Sequence, residues 1–237
     1  MAIVSVFSTG SGSSSSGTIT LNWPASHAID DVCVGMVGRD VAGAINTPSG
    51  FTALADTGLF GSGVTATGLQ LSWRRATSTT EAAAVWNTSG NKFARLVTFR
   101  GCATTGSPFV TQSTGGNSTA ATAYSQTGGT TTFSDLLMCY FMTQEVDTTT
   151  SPFINAGTAA NANLASIVEQ FAQSGTQGNG MGVGLVTGQL ATAGDSGTLT
   201  ATYRAASCWA NVVLGIKSTT SSEGGGRNAD PDFFNLF

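Results

Sequence analysis

Charge is what this sequence has least of. Asp, Glu, Lys and Arg make up 9% of its 237 residues, against about 25% in ordinary soluble domains. The nine Lys and Arg are scattered and only Arg74-Arg75 are adjacent. A groove of clustered cations that displaces counterions from nucleic acid cannot be built from them. There is one histidine, and the four cysteines, Cys33, Cys102, Cys139 and Cys208, form no CxxC pair. That excludes the usual zinc ligand sets; the cysteines read as small buried hydrophobes, with a disulfide between two of them left open by spacing alone. No stretch approaches the ~20 apolar residues of a membrane helix. The start, Met1-Ala2-Ile3-Val4-Ser5-Val6-Phe7, lacks the basic and apolar regions of a signal peptide, so synthesis in a cytoplasm without conventional export is expected.

What the chain does have is 41% hydrophobic residues, 13 Phe, 4 Trp and 31 Gly, with abundant Ser and Thr. The aromatic and aliphatic content argues against disorder and for a packed core. The surface must then be solvated by hydroxyls, amides and backbone. Such a surface has little self-repulsion and suits a protein held in an assembly or meeting neutral polar partners.

The chain also says nearly the same thing twice. Asp31-Val32-Cys33-Val34-Gly35-Met36-Val37 is echoed by Asp135-Leu136-Leu137-Met138-Cys139-Tyr140-Phe141. Asp31 to Asp135 and Pro48 to Pro152 are both 104 residues apart. Each copy continues to a second apolar run, Leu69–Trp73 or Met181–Val186, and a closing one, Phe93–Phe99 or Trp209–Ile216. The period-2 alternation of Thr18–Trp23 and Thr198–Tyr203 reads as half-buried strand, and the continuous apolar runs as central strands. Ser8–Gly17 reads as a loop and Ser89-Gly90-Asn91 as a turn. One or two edge strands are expected within Thr104–Thr132. Leu164–Gln173 fits a strand by the repeat and a short helix by propensity. Short strands with turn chemistry between them and no long amphipathic helix indicate an all-β protein. The expectation is a jelly-roll-like antiparallel β-sandwich from two related halves, 1–103 and 104–217. A linker and an apolar C-terminal arm, 218–237, follow.

No catalytic constellation is read. His27 lies in a loop, with no GxSxG serine in the chain, and is expected to face solvent. Asp30, Asp31 and Asp135 suit turn positions, where they accept backbone N–H bonds, better than a paired-carboxylate or calcium site. Trp23, Trp73, Trp86 and Trp209 lie in strand runs and are expected in the core rather than on a sugar-stacking platform. The Gly/Ser runs lack the Lys-Ser/Thr and helix of a phosphate loop. No cofactor or metal is expected. The candidate partner-binding residues are Phe233, Phe234, Leu236 and Phe237, four large apolar side chains in the last five. They serve either to cover their own domain or to anchor in a neighbouring subunit.

Asp30-Asp31-Val32-Cys33-Val34, Thr47-Pro48-Ser49-Gly50-Phe51-Thr52-Ala53-Leu54, Leu71-Ser72-Trp73-Arg74-Arg75-Ala76 and Phe99-Arg100-Gly101 resemble a jelly-roll domain of tailed-bacteriophage virion proteins. Asp30 stands where that family usually has Gly, and Phe51 where it has Trp. The resemblance covers residues 1–217. It implies a structural virion protein rather than an enzyme: a capsid decoration (cement) protein, a homotrimer on the major capsid protein at the capsid surface. The alternative is a tail fibre or baseplate appendage, or a glycan-binding adhesion protein. A hydrolase would need a carboxylate pair in a cleft. No nucleic-acid or membrane partner is expected.

Overall fold

The computed structural model describes residues 4–40, 45–63, 66–145, 153–175 and 180–223. They form strands and no helix: β1 (Ser5–Leu21), β2 (Val32–Arg39), β3 (Thr52–Asp56), β4 (Gly68–Arg75), β5 (Ala84–Arg100), β6 (Phe109–Thr127), β7 (Thr130–Thr131), β8 (Leu136–Gln144), β9 (Ala165–Ser174), β10 (Gly182–Leu190), β11 (Gly194–Asp195) and β12 (Thr198–Lys217). The all-β class and the paired halves are as the sequence indicated. The helical alternative for Leu164–Gln173 gives way to β9.

Two five-stranded antiparallel sheets have the same order, β1-β5-β2-β4-β3 and β6-β12-β8-β10-β9. Each half keeps its own five strands. The chain crosses between the halves once, from β5 to β6. The equivalence is not the 104-residue offset of the sequence. Val32, Val34 and Met36 face the partner sheet, as do Leu137, Cys139 and Phe141. Asp30 and Asp135 both carry positive φ, 71° and 54°. Asp30, not Asp31, is therefore the counterpart of Asp135. A one-residue slip exchanges the two faces of a strand, so burial fixes the register where sequence identity misplaces it.

Sheet faces meet with β4 against β12 and β8, and β10 against β2 and β5. The repeat-equivalent positions Gly38 and Thr143 touch near the centre. A Cβ on Gly38 would run into Thr143 Oγ1 and lie 3.1 Å from Met181 and Val183 carbons. The halves are thus related by an approximate twofold running along the strands. The core between the sheets comes from both: Val34, Met36, Leu71, Val97 and Phe99 against Phe141, Val183, Leu185, Val212 and Leu214.

Two outer layers complete the body. β1 and β5, and likewise β6 and β12, run on past the central strands as two-stranded ribbons that fold back over their own sheet. In the second half, Tyr124, Leu199 and Tyr203 cover Met138, Tyr140, Met142 and Val213, and residues 153–160 join through bridges at Ile154–Tyr203 and Ala160–Thr200. In the first half, Ile19, Leu21 and Trp86 cover Cys33, Val37 and Leu96. Ser8–Gly17 and Ser89–Asn91, read as loop and turn, instead lie within continuous strands. The pairing register shifts between Ser14 and Ser16 opposite Lys92 and Ser89, with Gly90 at φ 84°. The turn chemistry supplies the irregularity of a bent ribbon rather than its end.

The strands β5 and β12 end at the same pole. There Ala103 N donates to Lys217 O at 2.8 Å and Thr219 N to Gly101 O at 3.2 Å. The start of the expected flexible linker is pinned to this pole. Ser221 Oγ donates to Asp135 O at 2.8 Å, and Glu223 bridges to Phe133.

Candidate functional site

The aromatic residues are where the sequence placed them. Trp86 is 1% exposed, Trp23 and Trp209 5%. Trp73 packs edge-on against Phe109 with ring centroids 5.2 Å apart. Among the described residues the exposed large hydrophobics are Ile29 and Val168, so no described aromatic side chain offers a stacking platform. The four cysteines are free and buried. Burial pushes the Cys33 thiol well up and that of Cys102 up to about 12, which makes both poor nucleophiles.

His27 departs from expectation. It is buried, not solvent-facing. Its ring lies 5.0 Å from Trp23, and Nδ1 lies 2.7 Å from Pro24 O. That carbonyl can only accept, so Nδ1 carries the proton. The other ring nitrogen, Nε2, is buried without a hydrogen-bond partner. The ring closes the turn after β1, and among the described residues no serine hydroxyl sits against it in the manner of a triad.

Several of the few charges are engaged internally. Asp31, with a 3% exposed side chain, accepts two bonds from Arg100, Nε to Oδ1 at 2.9 Å and Nη2 to Oδ2 at 2.7 Å. It also accepts the Ala28 N–H at 2.9 Å. Arg39 pairs with Asp56 at 2.6 Å. Asp40 holds the Asn91 N–H and side-chain amide at 2.9 and 2.6 Å. Lys92 is buried; burial lowers its pKa while Asp40 opposes that shift. Arg95 points into the inter-sheet core. It donates to Gln173 Oε1, lies 3.8 Å over the Phe171 ring, and burial lowers its pKa to about 10, so it stays cationic at neutral pH. Asp195 Oδ1 caps a turn through Gly197 N at 2.9 Å. These four carboxylates are thus dispersed among structural tasks. Among the described residues no three His, Cys, Asp or Glu side chains are grouped to hold a metal ion.

Glu81 yields a pH prediction. Its side chain is 2% exposed and pairs with Arg74 at 2.5 Å. Oε1 accepts from Thr77 N at 2.6 Å, Thr77 Oγ1 at 3.0 Å and Ser78 N at 3.1 Å. Burial alone would raise its pKa; the Thr77 and Ser78 bonds and Arg74 outweigh that and hold it below the usual range. A depressed folded pKa gives stability that is full above the unfolded value of about 4.3 and is lost as pH falls through the folded pKa. Glu81→Gln should therefore be clearly less stable than wild type at pH 7. The gap in urea midpoint should narrow steadily from pH 5 to pH 3. A constant gap would show that the charge is not what stabilises the loop.

The distinctive outer features are two strand edges. β1 and β6 each end a sheet. No Asp, Glu, Lys or Arg occurs before Asp30, and none between Arg100 and Asp135, so both edges are wholly neutral. Along β6, Thr114, Ser118, Thr119, Thr122, Ala123 and Ser125 are exposed. The candidate partner residues Phe233, Phe234, Leu236 and Phe237 lie outside the described residues. Comparison with protein-family models, curated proteins and solved structures finds no match. The sequence reading expected an edge strand within Thr104–Thr132, where β6 lies, but missed the β1 edge because it divided that strand at its Gly/Ser run; the absence of charge over both stretches was the available signal.

Proposed function

We propose that this chain is a structural protein of a bacteriophage virion, a decoration protein that binds the assembled head and stabilises it. One observation supports this reading most: the edge strands β1 and β6 and their flanks carry no charge at all, while many of the charged side chains are engaged in internal pairs and turns. Neutral hydroxyl and amide surface can be covered by a neighbour without desolvating ions. The dispersed carboxylates and the buried His27 favour this non-catalytic role. The buried indoles favour it over a glycan-binding appendage. Stabilisation follows mass action: a protein that binds the closed shell and not its separated subunits shifts the equilibrium toward the shell.

The arm contributes anchorage. Its last described residue, Glu223, sits at the pole where both halves end. From there to Phe233 ten residues span at most ~33–36 Å, so the arm's target lies within that radius of the pole. Removal of residues 231–237 should weaken occupancy of purified heads at least tenfold, read by densitometry of sedimented particles, and leave the Tm within a degree or two. Equal occupancy would remove the arm from the mechanism. Failure of the full chain to bind or heat-stabilise heads would overturn the decoration role.

A further inference from the structure

We propose that the neutral edge strand β6 of one copy pairs with the equivalent neutral edge β1 of a second copy, head to tail. The inference takes its biological purpose from the assembly reading above, but its physical basis is separate. Unpaired strand edges expose rows of N–H and C=O groups, and soluble proteins blunt them with charge, proline, bulges or brevity.

Two of the four edges here follow that rule. β3 has five residues, a register irregularity between Ala53 and Ala55, and Asp56 at its end. β9 is interrupted by two register shifts against β10, holds Ser166 at φ 53° and carries Glu169. The other two edges have register shifts of their own, two along β1 and three between β6 and β12, but none of the other devices. β1 runs 17 residues and β6 runs 19, neither with a charge or a proline. β1 pairs without interruption from Ser8 to Ser14. β6 pairs without interruption from Ser113 to Asn117 and from Ala123 to Thr127. Its exposed side chains are short, so a partner backbone could approach closely.

The occupant follows from symmetry and charge. β1 and β6 hold the same place in the two halves, and the approximate twofold along the strands directs their edges to opposite sides of the body. A second copy supplies an uncharged edge of matching chemistry, so the contact desolvates no ion. Pairing β6 with β6 leaves β1 open on every copy. Pairing β6 with β1 leaves no open edge in a closed ring, and a ring of identical head-to-tail contacts needs three or more copies when the two edges face apart.

The test uses the full chain and light scattering, with no phage particle. Two variants place lysines on exposed edge positions: Thr114→Lys with Thr122→Lys on β6, and Ser5→Lys with Thr20→Lys on β1. Wild type should sediment as a closed oligomer of three or more chains. Each variant alone should associate at least tenfold more weakly and run as a single chain, with a wild-type circular dichroism spectrum. An equimolar mixture should form a two-chain species and nothing larger, because only one unmodified β1 and one unmodified β6 remain to meet. A monomeric wild type at about 100 µM, a concentration well above a specific contact's dissociation constant, would overturn the proposal. So would a variant that keeps the oligomer, or a mixture that stays monomeric. Val168→Lys on β9 controls for added charge and should leave the oligomer intact; its dissociation would also count against β6–β1 pairing. Head binding can fail with this pairing intact, and the reverse, so the two proposals are judged separately.

Discussion

Phe141→Ala should lower stability by about 3–5 kcal/mol, a fall in Tm of roughly 6–20 °C for a chain of this size. Phe141 is 0% exposed and meets Phe99 of the opposite sheet edge-to-face, with centroids 6.4 Å apart. It stands on the central strand β8, among side chains drawn from both halves. Truncation removes apolar contact from two sheets at once, and neither sheet can collapse alone into the void, since each is also packed on its outer face. Phe51→Ala, at a half-buried ring beside Trp23, should cost less. The measurement is urea unfolding followed by tryptophan fluorescence. A loss below about 1 kcal/mol, less than an ordinary buried methylene pair, would mean that the inter-sheet core does not hold the halves together.

The exchange of Gly38 and Thr143 tests the symmetry itself. Gly38→Thr alone drives a side chain into Thr143 Oγ1, Met181 and Val183, and overpacking of this kind costs about 1–3 kcal/mol or more. Thr143→Gly alone removes the bond from Thr143 Oγ1 to Gly182 O at 2.7 Å and opens a gap. Together they move the same side chain across the axis. Gly68 opens β4 as Gly182 opens β10, so a threonine at 38 would find an equivalent carbonyl. The double variant should recover at least half of the summed loss, a coupling that a thermodynamic cycle reads directly. Simple additivity would show that the twofold does not extend to side-chain detail.

The duplicated organisation was legible in the sequence because strand periodicity and apolar runs recur in order. Strand ends were not. Gly and Ser mark both a chain reversal and a bent ribbon, and only the partner strand distinguishes them; β1 and β5 pass through Ser8–Gly17 and Ser89–Asn91 for that reason. The strand phase was also misread, since identity matched Asp31 to Asp135 whereas burial matches Asp30. A histidine's exposure depends on what folds over it, and Trp23 lies near His27 in sequence without announcing that contact. Core tryptophans and buried cysteines were easier, because a run of apolar neighbours already states their surroundings. Of the candidate partner site, the arm was legible only as composition. An edge strand within Thr104–Thr132 was legible from its polar composition, whereas the β1 edge needed the sheet order.

The single crossing between the halves, Gly101 to Pro108, has a consequence for how little of this protein is needed at once. Two separate chains would have to find one another, and at low abundance they would drift apart. Joined by a short tether, each half meets the other at an effective concentration in the millimolar range. The central interface therefore survives dilution that would part independent subunits. It is also free to be unlike on its two sides, as at Met36 and Phe141, or Arg95 and Val212, because the pairing no longer depends on self-recognition.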